Sequence, residues 1–339
     1  MMRHYCTLFD RNYFFKGLSL HRSLEEVGGD YVLHVLCMDD VAHDLLERMK
    51  LPNVRTIRHA DFADAALLAV RPQRNIAEYC WTCTASLPLH VLEHQPDIDL
   101  ITYLDADLFL FSSPEPLFAE MGGRSILILE HRFAPRFAHF AESGKYNVEW
   151  LSFRRDDNAL GCLRWWRERC IEWCYDRLEG GRYGDQKYLD DWPTRFNGVH
   201  VLRNIGAGVA PWNFENYRVD SRGGQVLVDG VPLVFYHFHG LRLTPWGAPI
   251  PMPEIYEAVR PADAEIYGRY ADSLSESVRR TREVAPDFAF GIEPWRSSVR
   301  VGMHRLVHKS YWAVPESVRN AARRMVPAGL RARVVRLLK

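Results

Sequence analysis

The chain has 339 residues, 47% hydrophobic and 25% charged, the ordinary composition of a globular protein with one sizeable core and extensions. Lys plus Arg and Asp plus Glu both number 43, so the formal net charge is zero and bulk charge gives no reason to expect nucleic acid as a partner. No uncharged run approaches the roughly 18 residues that span a bilayer, and Met1-Met2-Arg3-His4-Tyr5 lacks the apolar stretch of a secretory signal; a cytoplasmic chain with 7 free thiols is expected.

In chain order, Tyr5 to Phe9 reads as a strand and Phe14 to Val27 as a helix closed by Gly28-Gly29. A strand over Tyr31 to Cys37, a helix over Val41 to Met49 and a strand over Val54 to Ile57 follow. A longer helical region covers Asn75 to His94, with Pro88 expected to kink or interrupt it. Its Cys80-Trp81-Thr82-Cys83 has C-x-x-C spacing, but no second Cys/His pair lies nearby to complete a zinc site, so core packing is expected. Leu100 to Leu104 is a β-rich run that stops at Asp105. Alternating strands and helices predict βαβ units and a mostly parallel sheet, whose nucleotide ligands sit beyond the carboxyl ends of the strands. Further on, Ser125 to Leu129 reads as a strand, and Asn158 to Leu178 as an amphipathic helix ended by Gly180-Gly181. Val199 to Leu202 and Val231 to His237 read as late strands. From about Pro261 the pattern turns to polar helix and then to a basic, Arg-rich end.

The strongest chemical signal is Leu104-Asp105-Ala106-Asp107. Side chains two apart on an extended chain point the same way. Two carboxylates aimed at one spot repel each other unless a cation sits between them, and hard oxygen ligands suit Mg²⁺ or Mn²⁺ completed by substrate phosphates. The bland alternative is a pair of solvated turn aspartates, but the apolar strand before them and Phe109-Leu110-Phe111 after them argue for burial.

Tyr103-Leu104-Asp105-Ala106-Asp107, followed by Ser113-Pro114-Glu115-Pro116-Leu117-Phe118, resembles the GT-A-fold glycosyltransferases, in particular the family that includes glycogenin and the bacterial lipopolysaccharide galactosyltransferases. Further motifs similar to the family's follow the expected order: Asp10-Arg11-Asn12-Tyr13, Asn147-Val148-Glu149-Trp150, Gly184-Asp185-Gln186 and His237-Phe238-His239-Gly240 with Pro245-Trp246 beyond. The resemblance implies an α/β fold of GT-A (Rossmann-like) type, a mostly parallel sheet flanked by helices. It implies a catalytic domain over 1–260, with a nucleotide-binding half to about 120 and a sugar and acceptor half to 260; residues 261–339 are then a helical extension. It implies sugar transfer from a nucleotide-diphosphate donor, expected to be a UDP-sugar, to a glycan or lipid-linked acceptor in bacterial surface polysaccharide synthesis.

The expected metal ligands for Mn²⁺ or Mg²⁺ are Asp105, Asp107 and His237, with His239 as the rival histidine on the same face. Asp10, Asn12, Tyr13 and Asp105 are expected on the nucleotide. Arg242 is expected on its diphosphate, since the family's Lys before Pro-Trp is Thr244 here. The family's Arg on the helix before Asp-x-Asp is also missing, with Thr82, Cys83 and Thr84 in that region. Asn147, Asp185 and Gln186 are the candidates for the donor sugar and the catalytic step, although Asp185 and Gln186 could equally cap the helix that follows. Glu149 stands where the family has glycine, which changes the shape expected of the sugar pocket. Trp212 and Trp246 lie in turn-like contexts suited to stacking on an acceptor sugar. Retention of configuration is slightly favoured over inversion through the Asp185-Gln186 match. A nucleotidyltransferase would show a Gly-rich, Arg-containing loop after the first strand, where this chain has Phe9-Asp10-Arg11-Asn12-Tyr13. A non-catalytic sugar-binding protein would have no need to retain Asp105, Asp107 and His237.

From Pro315 onward, arginines including Arg319, Arg323, Arg331 and Arg336 interleave with apolar residues at helical spacing on each side of Pro327. Such a segment reads as lying on an anionic membrane, which would place the chain peripherally at the inner face of the plasma membrane. The alternative is a helix whose apolar stripe packs on the enzyme. Each basic residue near the surface contributes about 1 kcal/mol. The full chain is therefore expected to sediment with anionic but not neutral liposomes at low salt, and a chain truncated after Tyr311 to remain in the supernatant. Equal binding by both removes the membrane role.

Overall fold

The computed structural model describes residues 2–244, 249–250 and 264–293. Trp246 and the basic tail lie outside the described residues. The chain divides into two units, one formed by Met1–Leu241 and Pro251–Gly291, the other by Arg242–Ile250 and Ile292–Lys339.

In the first unit, β1 (Arg3–Phe9) is followed by α1 (Phe14–Val27), β2 (Tyr31–Cys37), α2 (Asp40–Met49) and β3 (Val54–Arg58). The short helices α3 (His59–Phe62) and α4 (Ala65–Val70) lead to α5 (Ile76–Thr84) and α6 (Ser86–His94). Then come β4 (Leu100–Leu104), β5 (Leu108–Leu110), α7 (Glu115–Met121), β6 (Ile126–Glu130) and β7 (Tyr146–Arg154). α8 (Asp157–Glu172), α9 (Trp192–Arg195) and β8 (Val199–Val201) follow. Beyond them lie a small three-stranded sheet of β9 (Val219–Arg222), β10 (Gln225–Val228) and β11 (Val231–Pro232), and then β12 (Phe235–His237). The second unit contributes β13 (Arg242–Leu243) and β14 (Pro249–Ile250), an antiparallel pair. α10 (Ala264–Val284) returns to the first unit.

The main sheet has seven strands in the order β3-β2-β1-β4-β7-β6-β8. Its pairings are parallel except where β7 runs against β4 and β6. This is the mostly parallel α/β arrangement expected from the alternating pattern. The largest apolar cluster joins sheet residues such as Leu36, Ile101 and Phe153 to Cys83 of α5, Leu87 of α6, and Leu163 and Trp166 of α8. The cysteines are free, and all but Cys80 are buried, as core packing requires. In another layer, the ring of Trp150 stacks on Phe235 at 5.1 Å and meets Tyr5 edge-on at 6.1 Å. α10 packs along α1, where Ser19 and Ser277 share a 3.1 Å hydroxyl hydrogen bond. It also brings Tyr270 flat against Phe238, with ring centroids 3.8 Å apart.

Local chemistry explains the element ends, including those that differ from the sequence reading. Asp39 starts α2 by accepting the Ala42 N–H, and Asn75 with Glu78 forms a reciprocal cap on α5. The long helical region is interrupted at Ala85, as expected of Pro88 three residues on, which has no N–H to give the carbonyl of Thr84 four positions back. α8 stops at Glu172, short of the expected Leu178, because Trp173 is extended with φ −154°. Gly180 and Gly181 do not cap it; with φ of 57° and 73° they form the tight turn between the mutually hydrogen-bonded Glu179 and Arg182. The strand expected over Val231 to His237 is two short strands in different sheets. Trp166 is fully buried, and its indole N–H donates to the Asp185 carbonyl at 2.8 Å. Trp166→Ala is expected to cost about 3–5 kcal/mol of stability, read as a lowered urea midpoint with an unchanged slope.

Candidate metal centre

β4 enters the sheet parallel to β1 and delivers Asp105 at its carboxyl end, in the region where ligands of open α/β sheets bind. Asp105-Ala106-Asp107 turns the chain into β5, which leaves the main sheet and pairs antiparallel with β12. In that register Leu108 faces His237, and Phe238 N–H donates to the Asp107 carbonyl at 3.0 Å. Asp107 and His237, 130 positions apart, are thereby joined, with His237 Nε2 3.0 Å from Asp107 Oδ1 and 3.8 Å from Asp105 Oδ2. One ligand atom from each of Asp105, Asp107 and His237 falls within 4.8 Å of the others. Two carboxylates and an imidazole converging at that spacing are a fitting donor set for Mn²⁺ or Mg²⁺.

The surroundings fix each group. Tyr103 donates its hydroxyl to Asp105 Oδ1 at 3.0 Å. Lys16 of α1 reaches within 3.6 Å of Asp107 Oδ2 and lies 4.0 Å over the Tyr13 ring. Glu149 of β7 is 1% exposed; its Oε2 lies 2.5 Å from His237 Nδ1, and its backbone carbonyl accepts the Asp105 N–H at 3.0 Å. His239 is exposed; its ring stands edge-on 5.5 Å from that of His237 and outside the group formed with the two aspartates. The geometry thus brings His237, and not His239, together with the two aspartates.

Burial raises the Asp105 carboxyl to about 6; His237 opposes that shift, and Asp107 and Glu149 add to it. Burial would raise Asp107 as well, but the charges of His237 and Lys16 outweigh it and hold Asp107 well below the carboxylate range. Burial disfavours a charged His237, yet Asp107 and Glu149 overcome this and push it well above the ordinary imidazole value. Asp185 is also buried; desolvation and the nearby charge of Asp105 raise it to about 8. The electrostatics therefore join Asp185 to the aspartate pair.

The remaining sequence-predicted residues fall as follows. Asp10 accepts from the backbone and side-chain N–H groups of Asn12 and from the Tyr13 N–H, a compact turn after β1 with Tyr13 exposed. Gln186 donates to the Ser143 carbonyl at 3.0 Å. Gln186 stands at the start of a short 3-10 turn over Lys187–Asp191 and makes no side-chain cap there. Asn147 Oδ1 accepts the Glu149 N–H at 3.2 Å, and its buried amide nitrogen has no partner among the described residues. Trp212 is 3% exposed, donates to the His131 carbonyl at 2.9 Å and stands edge-on to His237 at 5.3 Å. It is a wall behind the histidine, and no open stacking face for an acceptor is left, contrary to the sequence reading. Arg242 belongs to the second unit, where it pairs with Glu293 at 3.7 Å. Lys16 and the pairing role of Glu149 were not read from the sequence. The exchange of glycine for glutamate in the motif over Asn147–Trp150 was the signal for Glu149; Lys16 sits on an ordinary helix and carried none.

The protein YfnD of Bacillus subtilis (strain 168), itself uncharacterized, is 34% identical over 295 residues, which cover 86% of this chain and 94% of YfnD. The chain belongs to the YfnD family. The uncharacterized YfnF of the same organism is 30% identical over 292 residues, covering 84% of this chain and 95% of YfnF. No family model matches the chain. Among solved structures, it is similar to the galactosyltransferase LgtC, in complex with donor and acceptor sugar analogs, at a TM-score of 0.49 and 18% identity over 82% of this chain and 99% of that one. It is also similar to mouse xyloside xylosyltransferase 1, at a TM-score of 0.45 and 15% identity over 71% of this chain and 98% of that one.

A carboxyl raised to about 8 in the native state and near the ordinary value when unfolded holds its proton in the fold between about pH 4 and pH 8. The native state then binds more protons than the unfolded state, so this contribution is fully present at low pH and is lost as pH rises through about 8. Asp185→Asn should therefore be little changed near pH 4 and gain stability over wild type toward pH 8, by on the order of a few kcal/mol. Urea unfolding in chelator at both pH values checks the sign.

Proposed function

We propose that the protein is a metal-dependent glycosyltransferase that takes its sugar from a nucleotide-diphosphate donor, a UDP-sugar. The observation that carries this reading is the convergence of Asp105, Asp107 and His237 at the end of a parallel strand. These three residues would hold a Mn²⁺ or Mg²⁺ ion. Bound there, the ion supplies charge neutralisation to the diphosphate leaving group. The Asp10–Tyr13 turn, next to Lys16 and exposing the Tyr13 ring, is our choice for the nucleotide, and Lys16 is a cation suited to a phosphate. The partnerless amide nitrogen of Asn147 suits a donor-sugar hydroxyl, and Asp185 and Gln186 complete the catalytic set. At neutral pH an Asp185 carboxyl held to about 8 keeps its proton and can donate a hydrogen bond. Arg242 stays our candidate for the diphosphate. We assign the acceptor to the class of glycan or lipid-linked saccharides of bacterial surface polysaccharide, with retention of configuration and action at the inner face of the membrane. Among the described residues no helix is long and apolar enough to cross a membrane.

The test is a thermal-shift screen of nucleotide sugars with and without Mn²⁺, followed by assay of nucleoside diphosphate release. UDP-sugars are expected to raise the melting temperature only with the metal. Asp105→Asn and Asp107→Asn should abolish turnover with the fold intact, and His237→Ala should weaken the Mn²⁺ dependence more than His239→Ala. Stabilisation by GDP but not UDP would refute the donor. Pyrophosphate as the product would indicate a nucleotidyltransferase, and binding without turnover a sugar-binding protein. Proton magnetic resonance of the new linkage decides between retention and inversion.

A further inference from the structure

We propose that Glu149 is a positioning residue that holds the His237 ring with Nε2 facing Asp105 and Asp107 and thereby sets the affinity of the centre for its divalent cation. The inference rests on the metal reading of that centre. A carboxylate as deeply buried as that of Glu149 is costly unless paired, and its pairing is with His237 Nδ1 at 2.5 Å. A carboxylate only accepts, so the imidazole donates Nδ1–H to it and is left with Nε2 as the nitrogen able to bind a metal. Nε2 is the atom that lies 3.0 Å from Asp107 and 3.8 Å from Asp105. Histidine ligands are commonly oriented and made more basic by a carboxylate in this way.

Two further features show a space built for this carboxylate. Gly208 sits opposite with φ 69°, and a Cβ there would come within 2.9 Å of Glu149 Oε1 and 2.4 Å of Leu129 Cδ1. The backbone carbonyl of Glu149 meanwhile accepts the Asp105 N–H, so one residue fixes one ligand through its main chain and a second through its side chain. A buried ion pair kept only for stability is the competing account, but such pairs seldom stabilise a fold more than an apolar replacement does.

The experiment is a Mn²⁺ titration of the full chain without nucleotide, following free Mn²⁺ by electron paramagnetic resonance. It compares wild type with Glu149→Gln, His237→Ala and the double variant. Glu149→Gln is expected to weaken Mn²⁺ binding roughly ten- to hundredfold, and the double variant to bind no more weakly than His237→Ala alone, because Glu149 acts through that ring. Wild-type affinity in a folded Glu149→Gln, or additive losses in the double variant, overturns the positioning role while leaving the metal reading intact. No Mn²⁺ binding by wild type overturns the metal reading instead, and this inference with it. A second measurement needs no metal and no variant. In ¹⁵N-histidine-labelled wild type in chelator, His237 should show a strongly hydrogen-bonded Nδ1 proton, and a ring protonated on Nε2 alone overturns the proposal.

Discussion

Three residues of antiparallel ladder hold the centre together. β5 leaves the main sheet straight after the two aspartates and pairs with β12, and in that register His237 lands beside Asp107. Paired strands fix the relative position of their side chains to within a rotamer, because both backbones are hydrogen-bonded at a set spacing. A ladder this short is weak alone, and the surrounding packing supports it. Tyr270 of α10 lies flat on Phe238 and edge-on to Phe109, and Phe235 stacks on Trp150 of β7. Val209 adds another support by accepting the His237 N–H at 2.9 Å.

The charges in this centre follow from the same geometry. Asp107, Glu149 and Asp185 are buried and Asp105 is half-buried, and Lys16 and His237, whose imidazole is pushed well above its ordinary value, lie among them. Asp107 lies next to both cations and stays ionised, whereas Asp105 and Asp185 are pushed upward by burial and by their acidic neighbours. Such divergence among neighbouring carboxyls is common at functional sites. A divalent ion held by Asp105, Asp107 and His237 would relieve the excess of negative charge, and His237 would then have to give up its Nε2 proton, which would link proton release to metal uptake.

Conservative scaffolding surrounds this unusual pocket. The Trp166 indole anchors the Asp185 backbone from α8, and Trp212 backs His237 while spending its N–H on the His131 carbonyl. Both tryptophans are core residues whose polar edge fixes a functional segment, so their burial serves packing and position together.

Much of this was legible in the sequence because the signals are local. The strands at Tyr31–Cys37 and Leu100–Leu104 and the helix at Phe14–Val27 have the bounds that their apolar periodicity predicts. Asp105 and Asp107 could be read as a pair because they stand together in one short segment at a strand end, although a turn closed by the Leu108 N–H to the Asp105 carbonyl, and not strand alternation, sets their directions. Other features depended on tertiary contacts. The choice of His237 over His239 rests on a strand register that no local pattern records. Lys16 reaches Asp107 only because α1 packs beside β5, and the burial of Trp212 depends on neighbours distant in the chain. Glu149 read as an intruder in a small-residue motif until the fold placed Gly208 and His237 around it. The sequence by itself determined several of the strands and helices and the placing of two carboxylates at one strand end, since these follow from local pattern over a few residues, whereas β7, which carries Asn147 and Glu149, was not read from it. Only the tertiary structure brought His237, Lys16 and Glu149 to the two aspartates, because those contacts join residues whose separation along the chain carries no periodic signal.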